Sequence, residues 1–177
     1  NIIKRVKTQG DQNFSALVSA RRPFGIDAAY KGNSTGEFYL YASSGDSRID
    51  PKDIAKGIEL IDKWKVLLSK TSSEHAGQSD KSGRKRVLSR IEVMPPNSVA
   101  TESYLIVGAF NSKQEAENTA EYLRTRFVRF LVSSILLTQN ITRNSFIFVP
   151  IQDFSKLWTD DILYKKYQIT PEEIEFI

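Results

Sequence analysis

One junction constrains this chain more than any other feature. Tyr104-Leu-Ile-Val-Gly-Ala-Phe110 contains no charged or amide side chain and has the length of a strand, the pattern of one buried on both faces. Ser112 and Glu115 follow with capping-box spacing, so a helix opens two residues after the strand closes. Ala116, Ala120, Leu123, Phe127, Phe130 and Leu131 fall on one stripe. That stripe predicts a single long helix over about Lys113–Leu137, with Arg124 and Arg126 flanking its apolar face.

Other strands are predicted at Glu37–Ala42, Trp64–Leu68, Val87–Met94 and Ser145–Val149. The first fifty residues read as short strands and turns. Among them is the apolar run Phe14–Ser19, which ends at the bend Arg21-Arg22-Pro23-Phe24-Gly25. Asp50-Pro51 has the form of a cap followed by a proline at the first helical position, and Ile54, Ile58 and Ile61 then share a helical face. Trp158-Thr159-Asp160-Asp161 leads into a short helix through Tyr167, and Thr170-Pro171-Glu172-Glu173 opens another. Only four residues follow that last signal, and the first residue is Asn1 instead of Met, so the sequence is expected to be a piece of a longer protein. Separated strands and helices of this kind predict an α+β fold, a mixed short-strand sheet packed with one long and several short helices. We expect one domain over 1–177, with 151–177 as a helical C-terminal appendage.

Composition removes whole classes of function. With 177 residues, 40% hydrophobic and 26% charged, the chain is neither collagen-like, coiled-coil nor wholly disordered. Its longest nearly uncharged stretch, Phe130–Ile141, is far short of the roughly 20 apolar residues that span a bilayer, so no membrane partner is expected. No cysteine is present, which excludes disulfides, cysteine nucleophiles and thiolate metal sites and fits a reducing cytoplasm. His75 is the only histidine and lies in a serine-rich stretch, so neither a catalytic triad nor a common zinc site is expected. No G-x-G occurs, so the glycine cradle of a dinucleotide fold or P-loop is missing. Asp50-Pro51-Lys52 has the acid-x-Lys spacing of a nuclease, but a helix-start role accounts for Asp50 and Pro51. Met94-Pro95-Pro96-Asn97 has the prolines of a DNA-methyltransferase motif without its leading Asn or Asp and its trailing aromatic.

Charge is uneven. Asp153, Asp160, Asp161, Glu172, Glu173 and Glu175 face Lys156, Lys165 and Lys166 in residues 151–177, a net of −3. Since the whole chain is +4, Asn1–Pro150 carries +7. Lys81, Arg84, Lys85, Arg86 and Arg90 form the densest run, with no acid between Lys81 and Ile91. The stretch Ser69–Arg86 holds five serines, Gly77 and Gly83 and no large apolar residue, and reads as a long loop. Such a distribution suits a polyanionic partner.

The residues also carry a family resemblance. Its pieces are Ser19-Ala20-Arg21-Arg22-Pro23-Phe24-Gly25, Lys63–Lys70, Thr101–Gly108, Tyr122–Leu131, Thr138–Arg143, Phe148–Phe154, and the ending Trp158-Thr159-Asp160-Asp161 with Tyr164-Lys165-Lys166-Tyr167 and Glu172-Glu173-Ile174. Together they resemble the C-terminal region of bacterial adenine-specific DNA methyltransferases of restriction–modification systems. The resemblance covers most of the chain from Phe14 onward except Thr71–Arg86. It implies a DNA target-recognition region whose S-adenosylmethionine-binding catalytic domain lies elsewhere in the parent protein. No cofactor and no catalytic residue are then expected here. The implied partners are double-stranded DNA, the N-terminal methyltransferase domain of the same chain and a restriction subunit. The residues expected to meet DNA are Arg21 and Arg22 at the Pro-Gly bend and Lys81, Arg84, Lys85 and Arg86 in the polar loop. The rival reading is a structural or docking module that holds a catalytic domain or another subunit and reads no bases. Salt bridging is the competing role for Arg21 and Arg22, and packing at the helix border is the competing role for Arg124, Arg126 and Arg129.

Overall fold

A computed structural model describes residues 2–71, 87–136 and 138–177. The fold is α+β. Its helices are α1 (Ile2–Thr8), α2 (Lys113–Arg124), α3 (Arg126–Ser133), α4 (Asp160–Lys166) and α5 (Pro171–Phe176). Its strands are β1 (Phe38–Tyr41), β2 (Ser47–Ile49), β3 (Trp64–Ser69), β4 (Ile91–Met94), β5 (Ser98–Ala100) and β6 (Tyr104–Phe110). The strands form two three-stranded sheets instead of one, in the orders β2-β1-β5 and β4-β3-β6. The second sheet is antiparallel throughout, while β1 pairs antiparallel with β2 and parallel with β5.

The β4-β3-β6 sheet is the middle layer, which is why β3 and β6 are apolar with little alternation. Val66 and Leu68 of β3 and Leu105 and Val107 of β6 enter a core shared with α2, α3 and α4. The intervening Leu67, Tyr104 and Ile106 enter a second core with Leu40, Ile49, Val99 and Phe24. Successive side chains point to opposite faces, so a strand buried on both sides must be apolar at every position. Lys65 is the exception: it is fully buried. Its ammonium donates to the carbonyl oxygens of Lys63 (2.7 Å), Ile61 (3.2 Å) and Pro95 (3.3 Å), and burial pushes its pKa down to about 8. Three carbonyl dipoles thus hold the ammonium, with the charge of Asp62 partly offsetting burial.

Three expectations from periodicity change in the fold. The long helix over Lys113–Leu137 is broken at Thr125, whose backbone is extended (φ −61°, ψ 150°). The Thr125 hydroxyl donates to Tyr122 O (2.7 Å) and accepts from Val128 N–H (3.3 Å). The Asp160 carboxylate, from the start of α4, accepts from Arg126 N–H (3.0 Å) and Phe127 N–H (2.9 Å). Two acceptors therefore satisfy the amides that a continuous helix would have used itself. The helix expected after Asp50 is two single 3-10 turns, Pro51–Asp53 and Ile58–Leu60. Gly57 stands between them at φ +70°, and a Cβ there would run into Pro23 O, so a close approach of two loops replaces the helix. Ile54 and Ile61 are buried but Ile58 is exposed. The strand expected at Ser145–Val149 is a 3-10 turn over Arg143–Phe146, followed by Val149. Ser145 Oγ accepts from Thr142 N–H (3.0 Å), and Phe146 and Val149, three apart, both enter the first core.

The C-terminal stretch belongs to that same core. Leu163, Tyr164, Tyr167 and Ile169 enter it, and Tyr167 stacks on Phe127 at 5.2 Å between centroids. Thr170 and Glu173 make the reciprocal cap that their spacing predicts. Among the described residues no helix is long and apolar enough to cross a membrane.

Candidate nucleic-acid interface

One edge of the central sheet gathers much of the chemistry singled out above. After β3 the described chain runs to Thr71 and resumes at Val87, and this neck is pinned. Ser89 Oγ donates to Thr71 O (2.8 Å), and Ser69 N–H donates to Arg90 O (3.0 Å). Lys70 N–H donates to Ser103 O (3.0 Å), which brings the start of β6 to the same edge. Glu102 N–H in turn donates to Ile26 O (2.9 Å), bringing the bend that carries Arg21 and Arg22 alongside. Lys81, Arg84, Lys85 and Arg86, together with His75, lie outside the described residues.

The bend is rigidly built. Phe24 and Ile26 are buried anchors in the second core. Arg22 is left-handed at φ +56° and Gly25 at φ +76°, where a Cβ would meet Ala55 Cβ at 2.7 Å. The conformation sends both arginine side chains to one acid. Arg22 Nε donates to Glu102 Oε2 at 2.7 Å, and Arg21 Nε does so at 3.3 Å. Arg22 Nη2 also lies 2.6 Å from Asp27 Oδ1. The Arg22 guanidinium holds the Glu102 carboxyl down at about 2 against the effect of burial, with help from Ala28 N–H and Arg21. Lys56 Nζ donates to Arg21 O (3.3 Å) and adds a third cation. The Arg21 side chain nonetheless stays 71% exposed, so its guanidinium is reachable from solvent while its base is held. Nothing in the sequence marks Glu102, because it lies 80 residues from Arg22; only the fold makes it the partner of both arginines.

Arg90 is more fully committed. Its Nε donates to Glu92 Oε2 (2.7 Å) and its Nη1 to the Tyr104 hydroxyl (2.9 Å). The same guanidinium sits 5.6 Å from the Tyr41 ring centre and 5.3 Å from that of Tyr104. Burial works against its charge, but Glu92 and Tyr104 outweigh burial and hold it above its ordinary value. Tyr39 meets Tyr41 edge-on at 4.8 Å and donates to Asp46 (3.0 Å). Burial, reinforced by Glu92, pushes the Tyr41 phenol up to about 12, so it stays neutral at physiological pH.

The short motifs turn out to be structural. Asp50 accepts from Asn33 Nδ2 (3.1 Å) and makes no side-chain cap bond. Among the described residues no three acids or histidines converge as metal ligands would. Met94-Pro95-Pro96-Asn97 closes β4 and turns into β5, with Asn97 at φ +61° and its N–H on Ile61 O (2.8 Å). Trp158-Thr159-Asp160 is a docking device: Trp158 Nε1 donates to Asp153 O (2.9 Å), the Thr159 hydroxyl accepts from Ile162 N–H (3.4 Å), and Asp160 caps α3. The described residues here bring together guanidinium groups held by Glu102, Asp27, Glu92 and Tyr104, an ammonium on a backbone carbonyl, and a neutral Tyr41 phenol.

A comparison with protein-family models finds no match, and a comparison with curated proteins finds no relative.

Proposed function

We propose that this chain is a cytoplasmic, DNA-contacting, target-recognition region of a restriction–modification methyltransferase, non-catalytic by itself. Methyl transfer from S-adenosylmethionine to adenine then belongs to another domain of the parent protein. The observation that carries this reading is the shared sheet edge. It holds the Arg21–Arg22 bend, Lys56 and Lys70, and both anchors of the segment in which Lys81, Arg84, Lys85 and Arg86 fall. The sequence resemblance and the +7 of Asn1–Pro150 point the same way. Lysine and arginine on phosphates supply affinity, and arginine, asparagine or glutamine on base edges supplies specificity. A partner enzyme that flips its target base needs such a grip on a distorted duplex.

The test is duplex binding by fluorescence anisotropy across a salt series. Binding at about 50 mM salt that weakens steeply on a log–log plot is expected, since each neutralised phosphate releases counterions. Absence of binding, or binding indifferent to salt, overturns the reading. That outcome would favour the docking module, which has its own observation: Leu157, Ile162 and Phe176 expose large apolar side chains on the acidic C-terminal stretch.

A further inference from the structure

A surface cavity of about 350 Å³ lies where the end of α2 and the start of α3 meet the entry to β4, lined by Leu88, Ser89, Arg90, Ile91, Arg124 and Arg129. Three guanidinium-bearing residues and, among the described residues, no acid line it. Their commitments differ. Arg90 is taken by Glu92 and Tyr104. Arg124 donates through Nη2 to Ile91 O (2.8 Å), an open carbonyl of the edge strand β4, and through Nη1 to Glu121 Oε1 (2.6 Å). Arg129 is half-buried, and its Nε makes only a long bond to Thr125 O (3.4 Å) in the preceding turn. Among the described residues Arg129 has no acidic partner, whereas Arg5, Arg21, Arg22, Arg90 and Arg124 each have one. Arg129 shares that state with Arg126 and with Arg48 and Arg143, which are instead held on backbone carbonyls.

We infer that this cavity is a phosphate-binding site in which Arg129 is the principal ligand and the outer face of Arg124 the second. A half-buried guanidinium beside a cavity that holds no acid among the described residues is a charge well placed to take an anionic ligand. The planar fork of N–H donors matches phosphate oxygens two at a time, and two such forks on one wall suit a tetrahedral dianion or a phosphodiester. The Arg124–Ile91 bond fixes that fork before any ligand arrives, so binding immobilises little more than Arg129. The cavity adjoins Ser89, which is bonded to Thr71 at the neck of the sheet edge proposed to meet DNA. The occupant is therefore a backbone phosphate of the duplex, an assignment that rests on the proposed function; phosphate recognition itself does not.

Two measurements separate the claims. First, the full chain is titrated with inorganic phosphate while the side-chain Nε–H resonances of its arginines are followed by NMR. The Arg129 resonance is expected to move and saturate, with Arg143, pinned to Val18 O, unmoved. An unmoved Arg129 overturns the site whatever the chain does with DNA. Second, Arg129→Gln and Arg129→Lys are compared with wild type in the duplex salt series, with Lys156→Gln as the control. Arg129→Gln is expected to bind about tenfold more weakly at low salt, with a log–log slope flatter by about 0.9. Arg129→Lys should restore the slope but only part of the affinity, because an ammonium keeps the charge and loses the fork. A phosphate response without duplex binding keeps the site and refutes the DNA reading. Duplex binding with an unchanged slope in Arg129→Gln places the phosphate elsewhere and overturns the assignment of the occupant.

Discussion

Glu102 shows how much one side chain decides at the residue scale. It holds the loop with Arg21 and Arg22 to the start of β6 through its carboxylate, and to Ile26 through its amide. Because the folded carboxyl titrates at about 2 instead of the usual carboxylate value, folding is favoured by its ionised form. This contribution is complete above the unfolded value near 4.5 and is lost as pH falls from there towards 2. Glu102→Gln is therefore expected to melt below wild type at neutral pH, with the gap closing as pH is lowered through that window. Paired thermal melts from pH 2 to pH 6 check it, and a gap independent of pH would mean that shape and not charge holds the bend. Arg21 and Arg22 are legible as candidates because two arginines precede a Pro-Phe-Gly bend. Their acid is not, since nothing in a linear sequence marks a partner 80 residues away.

The break at Thr125 carries the argument to the scale of elements. The apolar stripe from Ala116 to Leu131 is continuous, so periodicity alone predicts one helix. Local propensity also permits it, since threonine inside a helix costs only about 0.5 kcal/mol. The fold breaks the helix because Asp160 offers a carboxylate to the amides of Arg126 and Phe127. Asp160→Ala should remove that cap and cost about 1–2 kcal/mol, seen as a melting temperature lower by roughly 2–8 °C. Asp160→Asn keeps an acceptor and should recover most of the loss; equal losses in the two variants would assign the effect to packing of α4. The same cap explains why Trp158-Thr159-Asp160-Asp161 stands out in the sequence: its residues cap two helices and seat the C-terminal stretch on α3.

Across the whole molecule, two cores share one central sheet, and the charge is divided between a basic body and an acidic C-terminal stretch. Lys81, Arg84, Lys85 and Arg86 supply four of the cations of Asn1–Pro150. Replacing all four by alanine should weaken duplex binding on every sequence and flatten the log–log salt slope by up to about 3–4 units, at roughly 0.9 for each phosphate no longer neutralised. Anisotropy titrations over the same salt series measure it. An unchanged slope would shift the proposed DNA surface to Arg21, Arg22 and the Arg129 cavity. The fold should be indifferent to these four changes, because all four replaced side chains are charged and their stretch holds no large apolar residue.

Elements with a local cause are readable from the residues alone. Tyr104–Phe110 is a strand because seven consecutive residues without charge have no helical stripe, and the starts of α2 and α5 are set by Ser112 and by Thr170 with Glu173. The α+β class follows from those pieces. Whatever depends on a distant partner is settled only in three dimensions. That includes the division into two sheets, and the strands Ser47–Ile49 and Ser98–Ala100, which are too short to carry a periodic signal. It also includes a buried lysine held on three carbonyls, and a loop glycine against Pro23 where a helix is expected. Above all, folding sorts the arginines, pairing Arg21 and Arg22 with Glu102 and leaving Arg129 beside a cavity that no acid among the described residues lines. Composition counts charges, but whether a charge is already neutralised depends on which side chains the fold brings within a few ångströms of it.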